Sequence, residues 1–204
     1  MCSSDLANLA LTIIPDLVIT DLMMPGMDGM SLCRLLKNDE RTSHIPVIML
    51  TARATEEEKI EGLMAGADDY IIKPFNIKEL KVRISNILEQ REKLRQKYSN
   101  HFAFSLHDGE SASVDDLFLK KIYNIIKENM RDFDFDAGAL HEKAGMSRVH
   151  LFRKLKVLTG LSPGMLIRNI RLETAATYLV SHSGNITEIA NSVGISNPSY
   201  FTKC

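Results

Sequence analysis

Apolar positions follow two different rhythms, and the change falls near the middle of the chain. In the first half, three short runs show no alternation: Leu17, Val18 and Ile19; Ile45 to Leu50, broken only by Pro46; and Tyr70, Ile71 and Ile72. Unbroken runs of this length suit strands of a parallel sheet covered on both faces. Between them the spacing becomes three and four. It predicts a helix over 29–37 with Met30, Cys33 and Leu36 inward, and another over 55–66. Thr55 caps the second, Glu56, Glu57 and Glu58 suit its positive end, and Gly66 closes it. From 77 onward Ile77, Leu80, Ile84, Ile87, Arg91, Leu94 and Tyr98 form a stripe. The stripe has two readings: packing of 77–88 on the sheet, with the rest a tether, or a short coiled coil joining two chains. Arg91 interrupts the seam and favours packing.

Residues 99–113 lose periodicity and gain Ser and Gly, which marks a linker. Beyond it the pattern is helical throughout. Leu117, Leu119, Ile122, Ile125, Ile126 and Met130 outline a first amphipathic helix. An internal repeat follows at an offset of 49. Leu140, Ala144, Gly145, Met146, Ser147, Leu151 and Phe152 correspond to Ile189, Val193, Gly194, Ile195, Ser196, Tyr200 and Phe201. Each copy reads as helix, glycine turn, serine near a helix start, and second helix, the helix-turn-helix pattern. One copy alone is matched by any helical hairpin; two in register point to a paired reader. A helix over 163–181 joins them, spanning roughly 28 Å at about 1.5 Å per residue, near the rise of about 34 Å of one DNA turn.

Each of the three strands ends on a polar group: Asp21, Thr51 and Lys73. The carboxyl edge of an open α/β sheet is where such proteins hold their chemistry. The stretch Asp16-Leu17-Val18-Ile19-Thr20-Asp21 with Pro25, Gly26 and Gly29, the strand ending Leu50-Thr51-Ala52, and Ala67-Asp68-Asp69-Tyr70-Ile71-Ile72-Lys73-Pro74-Phe75 together resemble a two-component receiver domain over about 7–90. The resemblance implies a flavodoxin-like (CheY-like) α/β fold, here partial. It implies Asp21 as phospho-acceptor, Thr51 as switch hydroxyl, Tyr70 as the aromatic whose rotamer follows Thr51, Lys73 as countercharge, and a cis Lys73–Pro74 bond. It also implies Mg²⁺ held by Asp21 with an acidic pair from an upstream strand. In the family a strand–helix–strand unit bearing that pair would precede Leu9, and the strand order 2-1-3-4-5 would leave the 17–19 strand as an edge here. Asp68 and Asp69 begin the third strand at the opposite edge and are not expected to replace the pair. Residues 1–6 are read as outside the fold, an artefact or disordered, so the expected organisation is 7–98 receiver with an extended last helix, 99–113 linker, and 114–204 a second domain. A phosphatase of the haloacid dehalogenase type would need an acid two residues after Asp21, where Met23 stands.

Gly-Met-Ser at 145–147, Leu-Thr-Gly-Leu-Ser-Pro at 158–163, Ile-Arg-Leu-Glu-Thr-Ala-Ala at 170–176 and Ile-Ala-Asn-Ser-Val-Gly-Ile at 189–195 look like an AraC-type DNA-binding domain. The fold class is thus a partial receiver followed by an all-α domain with two helix-turn-helix motifs. In the first recognition helix, Leu151 and Leu155 face inward. Arg148 and His150 become candidates for bases, and Lys154 and Lys156 for the phosphate backbone. Arg153 is a contact or an internal anchor, and Arg168 and Arg171 are structural or backbone contacts. Asn197, Ser199 and Thr202 are the candidates in the second copy. Charge agrees with the division: 10 Lys/Arg against 14 Asp/Glu in residues 1–91, and 12 against 8 in 116–204.

The receiver and AraC-type domains in this order resemble the C-terminal part of hybrid two-component regulators. That implies a phosphorylation-responsive transcription regulator that is not itself an enzyme. Its partners would be promoter DNA, a histidine kinase phosphodonor (in the same full-length chain or separate) and a second copy in a homodimer. The alternative is a phosphorylation-independent DNA binder whose receiver is a dimerisation scaffold. Cys2, Cys33 and Cys204 form neither metal-ligand nor disulfide spacing, which favours a reducing cytoplasm.

Overall fold

The computed structural model describes residues 3–52, 64–100 and 113–203. The chain divides into two compact units, 1–94 and 95–204. In the first, β1 (Val18–Asp21), β2 (Val47–Thr51) and β3 (Asp69–Ile72) form a parallel sheet in the order β1-β2-β3. Asp21 registers with Leu50, and Thr51 with Ile72. All three strands point the same way, so their carboxyl ends share one edge.

Alternate residues of β2 serve opposite faces. Val47 and Met49 pack with Leu32, Cys33 and Leu36 of α2 (Gly29–Asn38) and with Ala7 and Ala10 of α1 (Ser3–Ile13). Ile48 packs on the other face with Ile71 and with Leu80, Ile84 and Ile87 of α3 (Ile77–Asn100). The result is a helix, sheet, helix sandwich. Asp28 caps α2 by accepting from the Ser31 amide at 2.6 Å. Cys33 is fully buried and its thiol is pushed up to about 11 by desolvation, the behaviour of a small core residue.

Two expectations about this unit need correction. Residues 3–6 are not outside the fold: α1 starts at Ser3, because Leu6, Ala7 and Ala10 give it a narrow inward stripe. Met30 faces inward as expected, partly buried against the cluster of Leu32, Cys33 and Leu36. Ile77 does not pack on the sheet but is 68% exposed at the start of α3. Arg91, the residue that breaks the apolar stripe, donates to the His44 carbonyl and approaches Asp68 at 3.5 Å, so this part of α3 is tied to its own unit. Among the described strands β1 is an edge, as expected; Ile19 is 42% exposed and a groove of about 440 Å³ runs beside it. The helix expected over 55–66 falls mostly on 53–63, outside the described residues, as does most of the linker at 101–112; Gly66 has the positive φ of a helix-closing glycine.

The second unit is all helical. It comprises α4 (Val114–Glu128), α5 (Ala137–Ala144), α6 (Arg148–Thr159), α7 (Pro163–Val180), α8 (Ile186–Ser192) and α9 (Pro198–Phe201). Its core joins Phe118, Ile122 and Ile126 of α4 to Leu151 and Leu155 of α6 and Leu166 and Ile170 of α7. Phe118, not Leu117, points inward on α4; Leu117 is exposed. A reciprocal box between Ser113 and Asp116 opens α4, and Ser162 followed by Pro163 opens α7.

Candidate functional site

The carboxyl edge of the sheet brings together residues far apart in sequence. Asp21 ends β1, and the Lys73 ammonium, one residue past β3, donates to its carboxylate. That hydrogen bond, with the lysine charge and the amides of Met23 and Leu22, holds the Asp21 carboxyl below its ordinary value of 3.8, against the opposing effect of burial. Thr51 ends β2 between them and is buried. The Lys73–Pro74 bond is cis, as expected. Tyr70 turns inward: its hydroxyl donates to the Met49 sulfur at 3.1 Å, and desolvation raises its pKa.

The loop after β1 is closed by Gly29, whose amide donates to the Leu22 carbonyl at 3.0 Å. A Cβ at Gly29 would lie 2.3 Å from the Asp21 carbonyl oxygen. Glycine is therefore what lets α2 approach the strand end carrying Asp21.

A depressed carboxylate stabilises the fold above its unfolded pKa, and that contribution is lost as pH falls through the lower folded value. NMR titration of the Asp21 carboxyl is expected to give a midpoint below 3.8, rising in Lys73→Met. A parent midpoint at or above the ordinary value contradicts the pairing.

Mg²⁺ takes oxygen ligands in near-octahedral array, commonly one or two carboxylates with waters and phosphate oxygens. Asp21 supplies one carboxylate, and among the described residues no group of three or more His, Cys, Asp or Glu gathers. Asp68 is held at the far edge by Lys37 at 2.6 Å, and Asp69 by Arg83 at 3.0 Å. The described residues do not by themselves make a Mg²⁺ site.

In the second unit both repeats turn on a left-handed glycine, Gly145 at φ +71 and Gly194 at φ +70. Ser147 caps α6 through the His150 amide at 3.2 Å. The second copy differs: its last helix starts at Pro198, so Ser196 lies two residues before it. The repeat also breaks at its final pair, with Phe152 48% exposed and Phe201 8%.

Arg148 stands at the start of α6, exposed, and its Nε donates to His141 Nε2 at 3.0 Å. His141 Nδ1 lies 3.2 Å from the Met146 carbonyl, so a proton on Nδ1 leaves Nε2 to accept from the arginine. Asp136, capping α5, adds its charge to the same corner. Arg153 is exposed and His150 half-buried on α6. Lys156 is exposed and donates to the Gly160 carbonyl at 2.7 Å. In the second copy Asn197, Ser199 and Thr202 are exposed. Arg171 takes a structural place, with Nη2 donating to the Asp132 carbonyl at 2.5 Å.

Lys154 departs from its expected role as a backbone contact. It is 1% exposed, with its ammonium 2.9 Å from Asp115 and 4.4 Å from the centre of the Phe118 ring. A charge so placed faces the core. Lys154 is thus an internal anchor of α6.

Residues 3–85 match the family model of the response regulator receiver domain, and residues 140–204 match a helix-turn-helix domain. The chain is a receiver joined to a helix-turn-helix domain. Over 191 residues it is 44% identical to histidine kinase P4 of Formosa agariphila, covering 94% of this chain and 14% of that protein. Over 76 residues it is 53% identical to the phosphate regulon transcriptional regulatory protein PhoB of Pseudomonas aeruginosa, covering 37% of this chain and 33% of that protein. A putative response regulator of known crystal structure from Chloroflexus aurantiacus is 38% identical, with a TM-score of 0.41 over 43% of this chain and 72% of that one. The chain thus spans between 14% and 33% of the length of the two sequence relatives.

Within the receiver, sequence reading singled out Asp21, Thr51, Tyr70 and Lys73 as candidates but gave Gly29 no role beyond loop composition. Its distance of eight residues from Asp21 carries no periodic signal. Within the helix-turn-helix domain it missed His141 and Asp136, which reach Arg148 only once the turn at Gly145 folds α5 back beside α6.

Proposed function

We propose that the chain is the output half of a two-component phosphorelay. Phosphorylation of Asp21 in the receiver would control promoter binding by the two helix-turn-helix motifs. The observation that carries this reading is the pairing of Asp21 with Lys73 at a sheet edge, in the same chain as a duplicated helix-turn-helix. An Asp21 carboxylate oxygen attacks the phosphorus of a phosphohistidine. The O–P bond forms, the P–N bond breaks, and the departing imidazole keeps the electron pair and takes up a proton, leaving an acyl phosphate. Lys73 offsets the added charge, and the Thr51 hydroxyl donates to a phosphoryl oxygen. Mg²⁺ with Asp21 as one ligand belongs to what the resemblance implies; no step above depends on it. The kinase supplies the phosphoryl group, and the receiver accepts it.

For the reader, the proposal assigns Arg148 and His150 to base edges and Lys156 to phosphate, with Arg153 beside them. Asn197, Ser199 and Thr202 serve the second copy. A homodimer and a cytoplasmic location complete the reading. No helix among the described residues is long and apolar enough to cross a membrane.

The reader is tested with duplexes enriched by the chain from a random pool. Arg148→Ala is expected to lower affinity by about 1–3 kcal/mol at one base position and to relax preference there. Lys156→Ala weakens all duplexes alike and lowers the salt slope by about 1. Equal loss on enriched and scrambled duplexes for Arg148→Ala removes it from base reading.

A further inference from the structure

The inward face of the first recognition helix combines apolar residues with one charge. Leu151, Leu155 and Thr159 are buried on α6, and Lys154 is buried among them. Two neighbouring acids open α4 and do different things. Asp116 completes the helix cap, accepting from the Ser113 amide at 3.1 Å and the Ser113 hydroxyl at 2.7 Å. Asp115 reaches across to Lys154 at 2.9 Å, while the face of Phe118, one turn further along α4, lies 4.4 Å from the same ammonium. Asp115 keeps some contact with solvent, and its carboxylate sits in the first turn of a helix, where negative charge is favoured.

An apolar side chain at 154 would fill space but tolerate rotation of α6 about its axis. A lysine held by a carboxylate on one side and a ring face on the other has a single direction. Buried ion pairs add little stability over a packed apolar pair, and their best-attested use is to fix register. Each residue of slip turns a helix by about 100°, enough to carry Arg148 and His150 away from whatever they face.

We infer that Asp115, Lys154 and Phe118 form a buried latch that sets the rotation of the first recognition helix, so that Asp115 and Lys154 act as positioning residues governing DNA affinity without touching DNA. The inference rests on the DNA-binding reading of α6. Asp115 also lies two residues past Ser113, the N-cap of α4, so the latch joins the start of α4 to the reader helix.

The test uses the full chain and fluorescent duplexes enriched from a random pool by the parent, read by anisotropy from about 50 to 200 mM salt. Lys154→Met is expected to weaken binding about tenfold with an unchanged salt slope. Asp115→Asn weakens it similarly, although removing an acid should strengthen DNA binding on charge alone. The double variant Asp115→Leu, Lys154→Met, which replaces the ion pair by an apolar pair, recovers most of the loss. A slope shallower by about 1 in Lys154→Met, with affinity kept or gained in Asp115→Asn, overturns the inference in favour of a phosphate contact. Single variants that melt earlier yet bind as the parent does while folded also overturn it. Hydrogen exchange gives a readout that needs no DNA: both single variants should lose protection in α6 but not in α7. If the parent enriches no duplex, the DNA-binding reading fails, and exchange alone decides the latch; unchanged α6 protection then overturns it.

Discussion

Asp21→Asn is expected to abolish the hydroxylamine-labile phosphate that the parent chain takes from a phosphohistidine donor. Asparagine has nearly the same shape but offers no carboxylate oxygen to form the acyl phosphate, so the loss should be complete rather than partial. The substitution should leave the fold intact. The pair of Asp21 with Lys73 is more than a third exposed on each side, and such ion pairs contribute about 0–1 kcal/mol. Parent and variant should therefore melt within a few degrees of each other. Phosphate retained by Asp21→Asn on another carboxylate would show that the strand-edge geometry was misjudged, with the acceptor lying elsewhere.

The second large effect is a contrast between equivalent glycines. Gly145 and Gly194 hold the same left-handed turn in the two repeats, and alanine is strained at either. At Gly145 an added Cβ meets nothing within 4 Å, so Gly145→Ala costs only the left-handed conformation, about 1 kcal/mol. At Gly194 the Cβ would stand 2.2 Å from the Met130 carbonyl oxygen and 2.8 Å from Arg171 Nη2. The carbonyl is backbone and cannot swing aside. The arginine would have to abandon its bond to Asp132. Overpacking adds about 1–3 kcal/mol to the conformational cost, so Gly194→Ala should cost about 2–4 kcal/mol. Urea unfolding of the two variants measures the difference; equal costs would mean that the second turn is not packed as described.

The parallel strands were legible because a sheet covered on both faces demands unbroken apolar runs, and each run here ends on the polar residue that serves the shared edge. The glycine turns were legible because a left-handed residue between two amphipathic helices has few substitutes for glycine. α1 was not, since its inward stripe is largely alanine, which reads as neither apolar face nor surface. Lys154 was missed for a related reason: periodicity places Leu151 and Leu155 inward, but a lysine between them reads as solvent or phosphate until Asp115, 39 positions earlier, is seen to meet it. Leu117 and Phe118 illustrate the limit of spacing rules, as either neighbour satisfies the pattern and only packing selects the ring. The same ambiguity separated Phe152 from Phe201 within an otherwise faithful repeat.

The central claim is that one chain reads DNA through two helix-turn-helix copies joined by α7. Its 18 residues span about 27 Å. The most direct measurement is selection by the purified chain from a random duplex pool, followed by sequencing of the bound fraction. The account predicts an enriched site with two conserved segments about 10–10.5 base pairs apart, and loss of the first segment's base preference in Arg148→Ala. A bound fraction with the same sequence distribution as the input pool would contradict it.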